Sequence, residues 1–254
     1  MLKFLAHPLT RNLDVDDPKT TDLRREIIKA KPFLKAIYED WYSAIVSSLP
    51  PVEGPVLEIG SGAGFLQEFI PGLITSEVFR CGNARVVLDG TRLPFRDGSL
   101  RAIVMTDVLH HIPDCRAFFN ETQRCLQVGG GLIMIEPWVS EWSSVIYKTF
   151  HHEPFVPETE SWGFPSSGPL SGANGALPWI VFQRDRSLFE REFPRLRIVR
   201  LQPMTPFRYL VSGGVSMRSL MPGAATRLWK TIEALMTPWM HYWAMFAIIR
   251  IERT

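Results

Sequence analysis

The chain has 254 residues, of which 46% are apolar and 21% are charged, a composition typical of a folded globular protein. Its net charge of +2 is too small to indicate a nucleic-acid partner or a strongly anionic one. The three cysteines lack the C-x-x-C spacing of a zinc site and favour a reducing, cytoplasmic location. The first ten residues lack the apolar core of a signal peptide, and no stretch approaches the roughly 20 apolar residues that span a bilayer.

Two helices are predicted first in the chain, over Pro18 to Ala30 and over Pro32 to Leu49, because apolar residues recur there at helical spacing. They form an expected N-terminal helical segment over residues 1–50. The remaining residues, 51–254, are numerous enough for one α/β domain with insertions.

A glycine-rich turn organises this predicted domain. Residues 56–59 indicate a buried strand, Gly60, Gly62 and Gly64 a sharp turn, and Phe65 the start of a helix. This order predicts the first unit of a doubly wound sheet, whose ligands lie beyond the carboxyl ends of the strands. In the dinucleotide fingerprint the third glycine stands where this chain has Phe65, which argues against NAD.

Acidic residues end the next two predicted strands. Glu77 lies near the end of the second strand, where an acidic side chain accepts hydrogen bonds from ribose hydroxyls in nucleotide sites. Asp89 follows the third strand, and its alternative interpretation is a simple turn with Gly90. Only residues 81–85 lie between these strands, so the usual crossover helix is predicted to be absent. The later predicted elements are a strand over 101–105, a helix over 116–126 ended by the glycines at 129–131, a strand over 132–135, a helix over 187–193 and strands over 196–202 and 244–252.

Three segments carry a family resemblance. With Glu58 two residues before Gly60, the glycine turn resembles motif I of class I S-adenosylmethionine-dependent methyltransferases. The segments D-G-T-R-L-P-F-R-D-G-S, V-L-H-H-I-P-D and R-C-L-Q-V-G-G resemble the type 11 methyltransferase group in motif and order, over about Val56 to Pro137. The resemblance implies a Rossmann-like α/β fold, a seven-stranded methyltransferase sheet with helices on both faces and the last strand antiparallel beside the fifth.

The resemblance also implies S-adenosyl-L-methionine as the cofactor. Carboxylates at strand ends suit its ammonium and sulfonium groups, and a carboxylate can also accept a hydrogen bond from the adenine amino group. The expected cofactor-binding residues are Glu58, Gly60, Ser61, Gly62, Glu77, Asp89, Gly90, Thr106 and Asp107.

His110 and His111 stand side by side after the fourth predicted strand. Adjacent side chains on a helix point about 100° apart, so we expect that the two rings do not share one small target. His110 is therefore expected to be structural or to line the pocket. No metal-ligand spacing accompanies the pair, and no metal site is expected.

A Pro/Gly/Ser-rich and aromatic-rich stretch over about 139–180 is predicted to be a cap over the substrate, because long loops in compact domains are usually functional. His151, His152 and Glu153 are its candidates for a general base, since a neutral imidazole accepts a proton near pH 7. The alternative is a hydrogen-bonding cluster at a helix end. A helical insertion is expected over about 206–243.

These features predict methyl transfer from S-adenosylmethionine to a small or lipid-like molecule, through an O-, N- or C-nucleophile that the sequence leaves open. Two alternatives are an NAD-linked oxidoreductase on a similar sheet and a non-catalytic module that keeps the cofactor. Peripheral membrane contact through Trp229, Trp239, Tyr242 and Trp243 is a third option, with packing against the sheet favoured. The oligomeric state is open.

Overall fold

A sheet of seven strands organises the part of the chain that the computed structural model describes, residues 17–151, 153–165, 168 and 172–254. The strand order is β3-β2-β1-β4-β5-β7-β6. The strands β1 to β5 are parallel, whereas β7 is antiparallel to both β5 and β6. The expected sheet, with its last strand antiparallel beside the fifth, is confirmed. The strands are β1 (Val56–Glu58), β2 (Ile74–Glu77), β3 (Val86–Val87), β4 (Leu100–Thr106), β5 (Leu126–Pro137), β6 (Leu196–Met204) and β7 (Phe246–Arg253).

The central strands are nearly continuous apolar runs because both faces of the sheet are covered. Ile103, Val104 and Met105 of β4 are all fully buried, as are the residues of β5 from Leu132 to Ile135. The parallel strands β1, β2 and β4 end at the same edge, so the side chains at their carboxyl ends, including Glu58, are brought together there.

Nine helices pack around the sheet within the described residues. Asp17 caps the start of the first helix, where its side chain accepts a hydrogen bond from the backbone N–H of Lys19 at 2.9 Å. The second helix begins at Pro32. The helices are α1 (Pro18–Ala30), α2 (Pro32–Ser47), α3 (Cys115–Cys125), α4 (Glu141–Phe150), α5 (Leu177–Trp179), α6 (Arg186–Glu192), α7 (Arg208–Ser212), α8 (Thr226–Leu235) and α9 (Met240–Trp243). None of the described helices is both long and apolar enough to cross a membrane.

The crossover after the glycine turn is shorter than predicted. A single 3-10 turn, Leu66–Glu68, replaces the expected helix over residues 65–70. Gly72, at φ +76°, reverses the chain four residues after this turn ends, which leaves no room for a longer helix. Helix α2 packs on this segment instead, with the ring centroids of Tyr42 and Phe65 4.9 Å apart.

The glycines at 129–131 lie inside β5 and do not end the preceding helix, so the predicted helix end is wrong. Leu126 of β5 pairs with Leu100 of β4, but Gly131 pairs with Ala102, so the extra residues of β5 form a bulge. A Cβ atom on Gly130 would lie 2.8 Å from the carbonyl oxygen of Gln127, which explains the need for glycine there. The predicted absence of a helix between β2 and β3 is confirmed.

The described part of the predicted cap is attached to both the sheet and the histidine turn. In α4, Ser140 caps the helix and the hydroxyl of Tyr147 donates to the carbonyl oxygen of Met245 at 3.0 Å. Further along, the backbone N–H of Asn174 donates to the carbonyl oxygen of His110 at 3.0 Å. The boundaries of the cap, of the insertion over 206–243 and of the segment over 1–50 stay predictions.

Candidate active site

A cleft of about 320 Å³ lies beyond the carboxyl ends of β1, β2 and β4. The glycine turn forms one wall, and α1 contributes Arg24. Aromatic side chains of α2, the cap and α7, among them Tyr38, Tyr147 and Tyr209, also line the cleft. The cleft therefore combines backbone and carboxylates at the strand ends with apolar rings from the surrounding elements.

The glycine turn brings bare backbone to the cleft. Gly60 has a φ of +68°, and a Cβ atom there would collide with the side chain of Val108. The turn is held to β2 by a hydrogen bond of 2.8 Å from the N–H of Ser61 to the carbonyl oxygen of Ser76. The sequence predicted Gly60, Ser61 and Gly62 at the site, and all three line the cleft.

Glu58 ends β1 as a buried carboxylate. Only 2% of the residue is exposed, and its Oε2 atom has no hydrogen-bond partner in the protein. Burial, together with the nearby charge of Glu77, raises the pKa of Glu58 to about 7. A buried carboxylate with an unpaired oxygen that lines a cleft is a site for a cationic ligand.

Glu77 ends β2 on the same side of the cleft. Its Oε1 accepts a hydrogen bond from the N–H of Gly62 at 3.0 Å, and its Oε2 accepts one from the N–H of Val78 at 2.9 Å. Burial raises the pKa of Glu77, while both hydrogen bonds act to lower it. The two backbone donors fix the orientation of the carboxylate, and each oxygen keeps a second lone pair for a ligand.

Asp89 lines the cleft and also closes a turn. Its Oδ1 accepts hydrogen bonds of 2.8 Å from both the N–H and the hydroxyl of Thr91. The turn interpretation is seen at this position, and Asp89 and Gly90 also border the cleft, so binding of the cofactor there stays a prediction.

Thr106 and Asp107 end β4 beneath the middle of the cleft. The buried hydroxyl oxygen of Thr106 has no hydrogen-bond partner in the protein. Asp107 adopts a left-handed backbone with φ +64°, held by the hydrogen bond from its N–H to the carbonyl oxygen of Ile135 at 2.8 Å. Burial raises the pKa of Asp107 to about 6, and the charge of His110 opposes this shift.

His110 is buried between carboxylates from different elements. Its Nδ1 lies 2.9 Å from Oε2 of Glu136 at the end of β5, and its Nε2 lies 3.5 Å from Oε2 of Glu153 in the cap. Burial alone would lower the pKa of His110, but its hydrogen bonds with these two carboxylates outweigh burial and raise the pKa well above its usual range.

Glu136 is completely buried and rigidly held. Its Oε1 accepts hydrogen bonds from the N–H groups of Val108 at 2.9 Å and Leu109 at 2.7 Å. The fixed carboxylate therefore sets the orientation of the His110 ring.

The two adjacent histidine rings converge, which corrects the expectation that they cannot share a target. Their centroids are 4.2 Å apart, and Nε2 of His111 lies 3.8 Å from Oε1 of Glu153. The reason is local: Leu109–His111 forms a tight 3-10 turn, not an α-helix, and one carboxylate from the cap reaches both rings. Burial and the neighbouring His110 lower the pKa of His111 to about 4.

Of the three predicted base candidates, two lie within the described residues. Glu153 is at the centre of the histidine cluster, and interactions with His110, then with the charges of His111 and His151, hold its pKa well below its usual range against the effect of burial. His151 lies beside it, with Nδ1 3.8 Å from Oε2 of Glu153. His152 falls outside the described residues.

The sequence places Glu136 at the carboxyl end of the fifth strand, on the ligand side of the sheet, but neither Glu136 nor Arg24 was predicted to be a site residue. The signal for Glu136 was present, because L-I-M-I-E-P repeats the pattern of V-L-E-I-G, an apolar strand that ends in a carboxylate. Arg24 had no local signal, since it reaches the cleft only through the packing of α1.

The residues present fit S-adenosylmethionine. The unpaired buried oxygen of Glu58 offers a partner for an ammonium group, and the backbone of the glycine turn lines the same cleft. Arg24 supplies a positive charge in the same cleft, complementary to a carboxylate.

Comparisons with known proteins found one family model and several solved structures that this chain resembles. The family model described as a methyltransferase domain matches residues 57–134. The structure of geranyl diphosphate C-methyltransferase from Streptomyces coelicolor A3(2), in complex with Mg²⁺, geranyl diphosphate and S-adenosyl-L-homocysteine, is similar over 98% of this chain and 92% of its own, at 16% identity and a TM-score of 0.51. The YcgJ protein from Bacillus subtilis is similar over 83% of this chain and 97% of its own, at 16% identity and a TM-score of 0.47. No curated protein matches the sequence.

The first of these structures shows that the fold is shared, and its substrate is a property of that protein alone. The domain match covers the glycine turn, the strands that border the cleft and the histidine pair. Residues 57–134 therefore match a methyltransferase domain, and the sheet shares the fold of a structure that contains S-adenosyl-L-homocysteine.

Proposed function

We propose that this protein methylates a small or lipid-like acceptor that binds in the aromatic half of the cleft. The observation that supports this most directly is the convergence of His110, His111 and Glu153 inside the same cleft as the glycine turn. The match of residues 57–134 to a methyltransferase domain argues against the alternative of an NAD-linked oxidoreductase.

The proposed cofactor half uses the strand-end residues. Glu58 pairs with the ammonium group, Arg24 with the carboxylate, and Glu77 accepts hydrogen bonds from the ribose hydroxyls. Asp89 and Gly90 bind the adenine edge, with Thr106 and Asp107 below the junction of the cofactor's two parts. When bound, the cofactor supplies an electrophilic methyl group on a sulfonium centre.

The acceptor half is lined mainly by aromatic and apolar groups. Tyr38, Tyr147, Phe155, Tyr209 and Phe246 border it, and Tyr147 and Phe155 stack with centroids 4.7 Å apart. Such a surface favours a ring-bearing or hydrocarbon-rich acceptor.

The histidine cluster would orient the reacting atom of that acceptor. The ring nitrogens of His110 and His111 and the carboxylate of Glu153 all lie within 4.8 Å of one another, close enough to contact one bound atom. Holding the acceptor in line with the methyl group removes an entropic cost that can amount to roughly 7–11 kcal/mol in well-aligned reactions. Glu153 is the proposed catalytic residue of the cap, with His151 beside it.

The test is methyl transfer from radiolabelled S-adenosylmethionine to fractionated cell metabolites and lipids, followed by mass spectrometry for products one methyl group heavier. We expect transfer by the wild type and a loss of at least about 100-fold with Glu153→Gln, since general acid–base and positioning groups typically contribute 10²–10⁴-fold. Glu158→Gln is the control, because Glu158 lies in the same segment and is exposed. Cofactor binding without transfer to any fraction would favour the non-catalytic module.

A membrane contact near the C-terminal helices remains a prediction. Trp229 is partly buried, whereas Trp239, Tyr242 and Trp243 are 54%, 46% and 37% exposed. Trp243 also packs against Trp142 and Phe207, with ring centroids 5.7 Å apart in both cases. An apolar surface of this kind suits an enzyme whose acceptor is lipid-like.

A further inference from the structure

We propose that His110, His111 and Glu153 bind a divalent first-row transition-metal ion in the acceptor half of the cleft. The inference rests on the proposed function, because the ion would select acceptors that present an oxygen donor. Two imidazoles and one carboxylate are a common ligand set for such ions, with positions left open for substrate.

The distances suit a metal. Nε2 of His110 lies 3.5 Å from Oε2 of Glu153, and Nε2 of His111 lies 3.8 Å from Oε1 of Glu153. With bonds of about 2.1 Å, ligand atoms around a tetrahedral ion are about 3.4 Å apart. The two histidine–carboxylate distances are therefore within a few tenths of an ångström of this spacing, and all three ligand atoms lie within 4.8 Å of one another.

The proton on His111 is placed by its neighbour. Nδ1 of His111 lies 3.2 Å from the carbonyl oxygen of Gly172, and a carbonyl oxygen only accepts hydrogen bonds. The proton is therefore on Nδ1, and in the neutral ring the lone pair of Nε2 faces Glu153. A lone pair that faces a carboxylate is an unfavourable arrangement unless a cation lies between them.

His110, like His111, directs its Nδ1 atom at a hydrogen-bond acceptor of the protein. Its Nδ1 lies 2.9 Å from the carboxylate of Glu136, which the N–H groups of Val108 and Leu109 hold in place. Metal-bound histidines usually donate their second N–H to a carboxylate or a backbone carbonyl, and this pair shows one of each. The ligand ring nitrogens are therefore oriented in advance, and the ion would displace the proton that Nε2 of His110 otherwise shares with Glu153.

The ion would lie inside the cleft, where it could bind the acceptor. The site is built from the turn after β4 and from the cap, and all three residues line the cleft that also contains the glycine turn. Asp107, with Oδ1 4.0 Å from Nε2 of His110, adds negative charge at the boundary between the two halves. An acceptor with a hydroxyl, enol or carboxylate oxygen would occupy the open positions, whereas a plain hydrocarbon has no donor atom to offer the ion.

In the experiment, the 254-residue chain is treated with a chelator and then titrated with Co²⁺, and binding is followed by visible absorption and by metal analysis after gel filtration. We expect one Co²⁺ per chain and the absorption bands of nitrogen- and oxygen-ligated Co²⁺. His111→Ala and Glu153→Gln should each weaken binding by at least about ten-fold, and Glu136→Gln, which acts only through His110, by about ten-fold. His241→Ala and Glu158→Gln are the matched controls. Both residues are exposed, and neither belongs to the proposed ligand set.

Binding of S-adenosylmethionine to each variant, measured by calorimetry, reports whether the fold and the cofactor half are intact. The proposal would be overturned if Co²⁺ did not bind in a stoichiometric amount, or if all variants bound it equally. The positive charge beside Glu153 would then be that of a protonated His110. In that case retained methyl transfer in the presence of chelator would leave the proposed function standing. If the wild type neither bound S-adenosylmethionine nor transferred its methyl group, the proposed function itself would be contradicted.

Discussion

Glu58 shows how one residue can link the stability of the protein to its ligand. Its pKa of about 7 lies above the ordinary value of 4.5, because the ionised carboxylate is buried beside Glu77. Between these two pH values the folded protein binds more protons than the unfolded chain. The stability that Glu58 contributes is therefore complete below pH 4.5 and is lost as the pH rises through about 7.

Replacing Glu58 by Gln should remove this dependence on pH. Denaturant unfolding of the cofactor-free wild type should show stability falling by roughly 3 kcal/mol from this group between pH 4.5 and pH 7.5, and the Glu58→Gln protein should lack that decrease. Affinity for S-adenosylmethionine should show the opposite trend, since an ammonium group binds the ionised carboxylate, and it should rise through pH 7 in the wild type only. Glu53→Gln, at an exposed position just before β1, is the control. Parallel pH profiles for the Glu58 and Glu53 variants would contradict the proposed pairing.

At this scale the sequence predicted the positions of the cleft residues better than their interactions. Glu58, Glu77 and Asp89 could be placed because each follows a recognisable strand. That Glu77 is held by the N–H of Gly62, or that one oxygen of Asp89 is used by Thr91, depends on distances across the cleft that no local pattern encodes.

Among the elements, the strands were easier to predict than the segments that join them. Strand β4 is buried on both faces, so its apolar run is clear in the sequence. The 3-10 turn at Leu66–Glu68 and the bulge in β5 were missed because both depend on neighbours, α2 in one case and β4 in the other. The histidine turn was missed for the same reason: Glu153 meets it from more than 40 residues away along the chain.

Helix α8 presents an apolar face that the rest of the described chain leaves exposed. Leu228 and Leu235 are 63% and 71% exposed, and Arg227 and Lys230 lie on the same helix. Apolar side chains flanked by basic ones are typical of helices that lie in a bilayer interface.

The wild type should therefore float with vesicles that contain anionic lipids, and Leu228→Glu combined with Leu235→Glu should abolish flotation. Two carboxylates would be driven into the apolar part of the interface, where charge is strongly disfavoured. Val128→Glu is the control, since Val128 is 69% exposed on a strand of the sheet. Absence of wild-type protein from the floating fraction would remove the membrane option.

For the molecule as a whole, a half-buried ionic network joins the helices that surround the acceptor half. Arg208 of α7 forms ion pairs with Glu233 of α8 at 2.5 Å and with Asp40 of α2 at 2.6 Å. Glu233 also accepts hydrogen bonds from the N–H groups of Phe207 and Arg208. Three elements that are distant in sequence are thereby fixed to one another by one guanidinium group.

Glu233→Ala should lower the free energy of unfolding by about 3–5 kcal/mol, because it leaves a buried Arg208 with part of its charge unpaired. Denaturant titration with a fluorescence readout measures the loss. Glu190→Ala removes one partner of an exposed pair with Arg186 and should change stability by less than about 1 kcal/mol. Equal effects of the two substitutions would show that the network contributes no more than an ordinary surface contact.

The place of β7 between β5 and β6 has a consequence for how the polypeptide assembles during synthesis. Residues 196–204 emerge from the ribosome well before residues 246–253, yet they reach the sheet only by pairing with them. Until that later stretch arrives, the border of β5 offers unpaired backbone groups, which are a template for association between chains. A nascent chain of this protein therefore passes through an interval in which chaperone protection matters most, and that interval ends when β7 inserts.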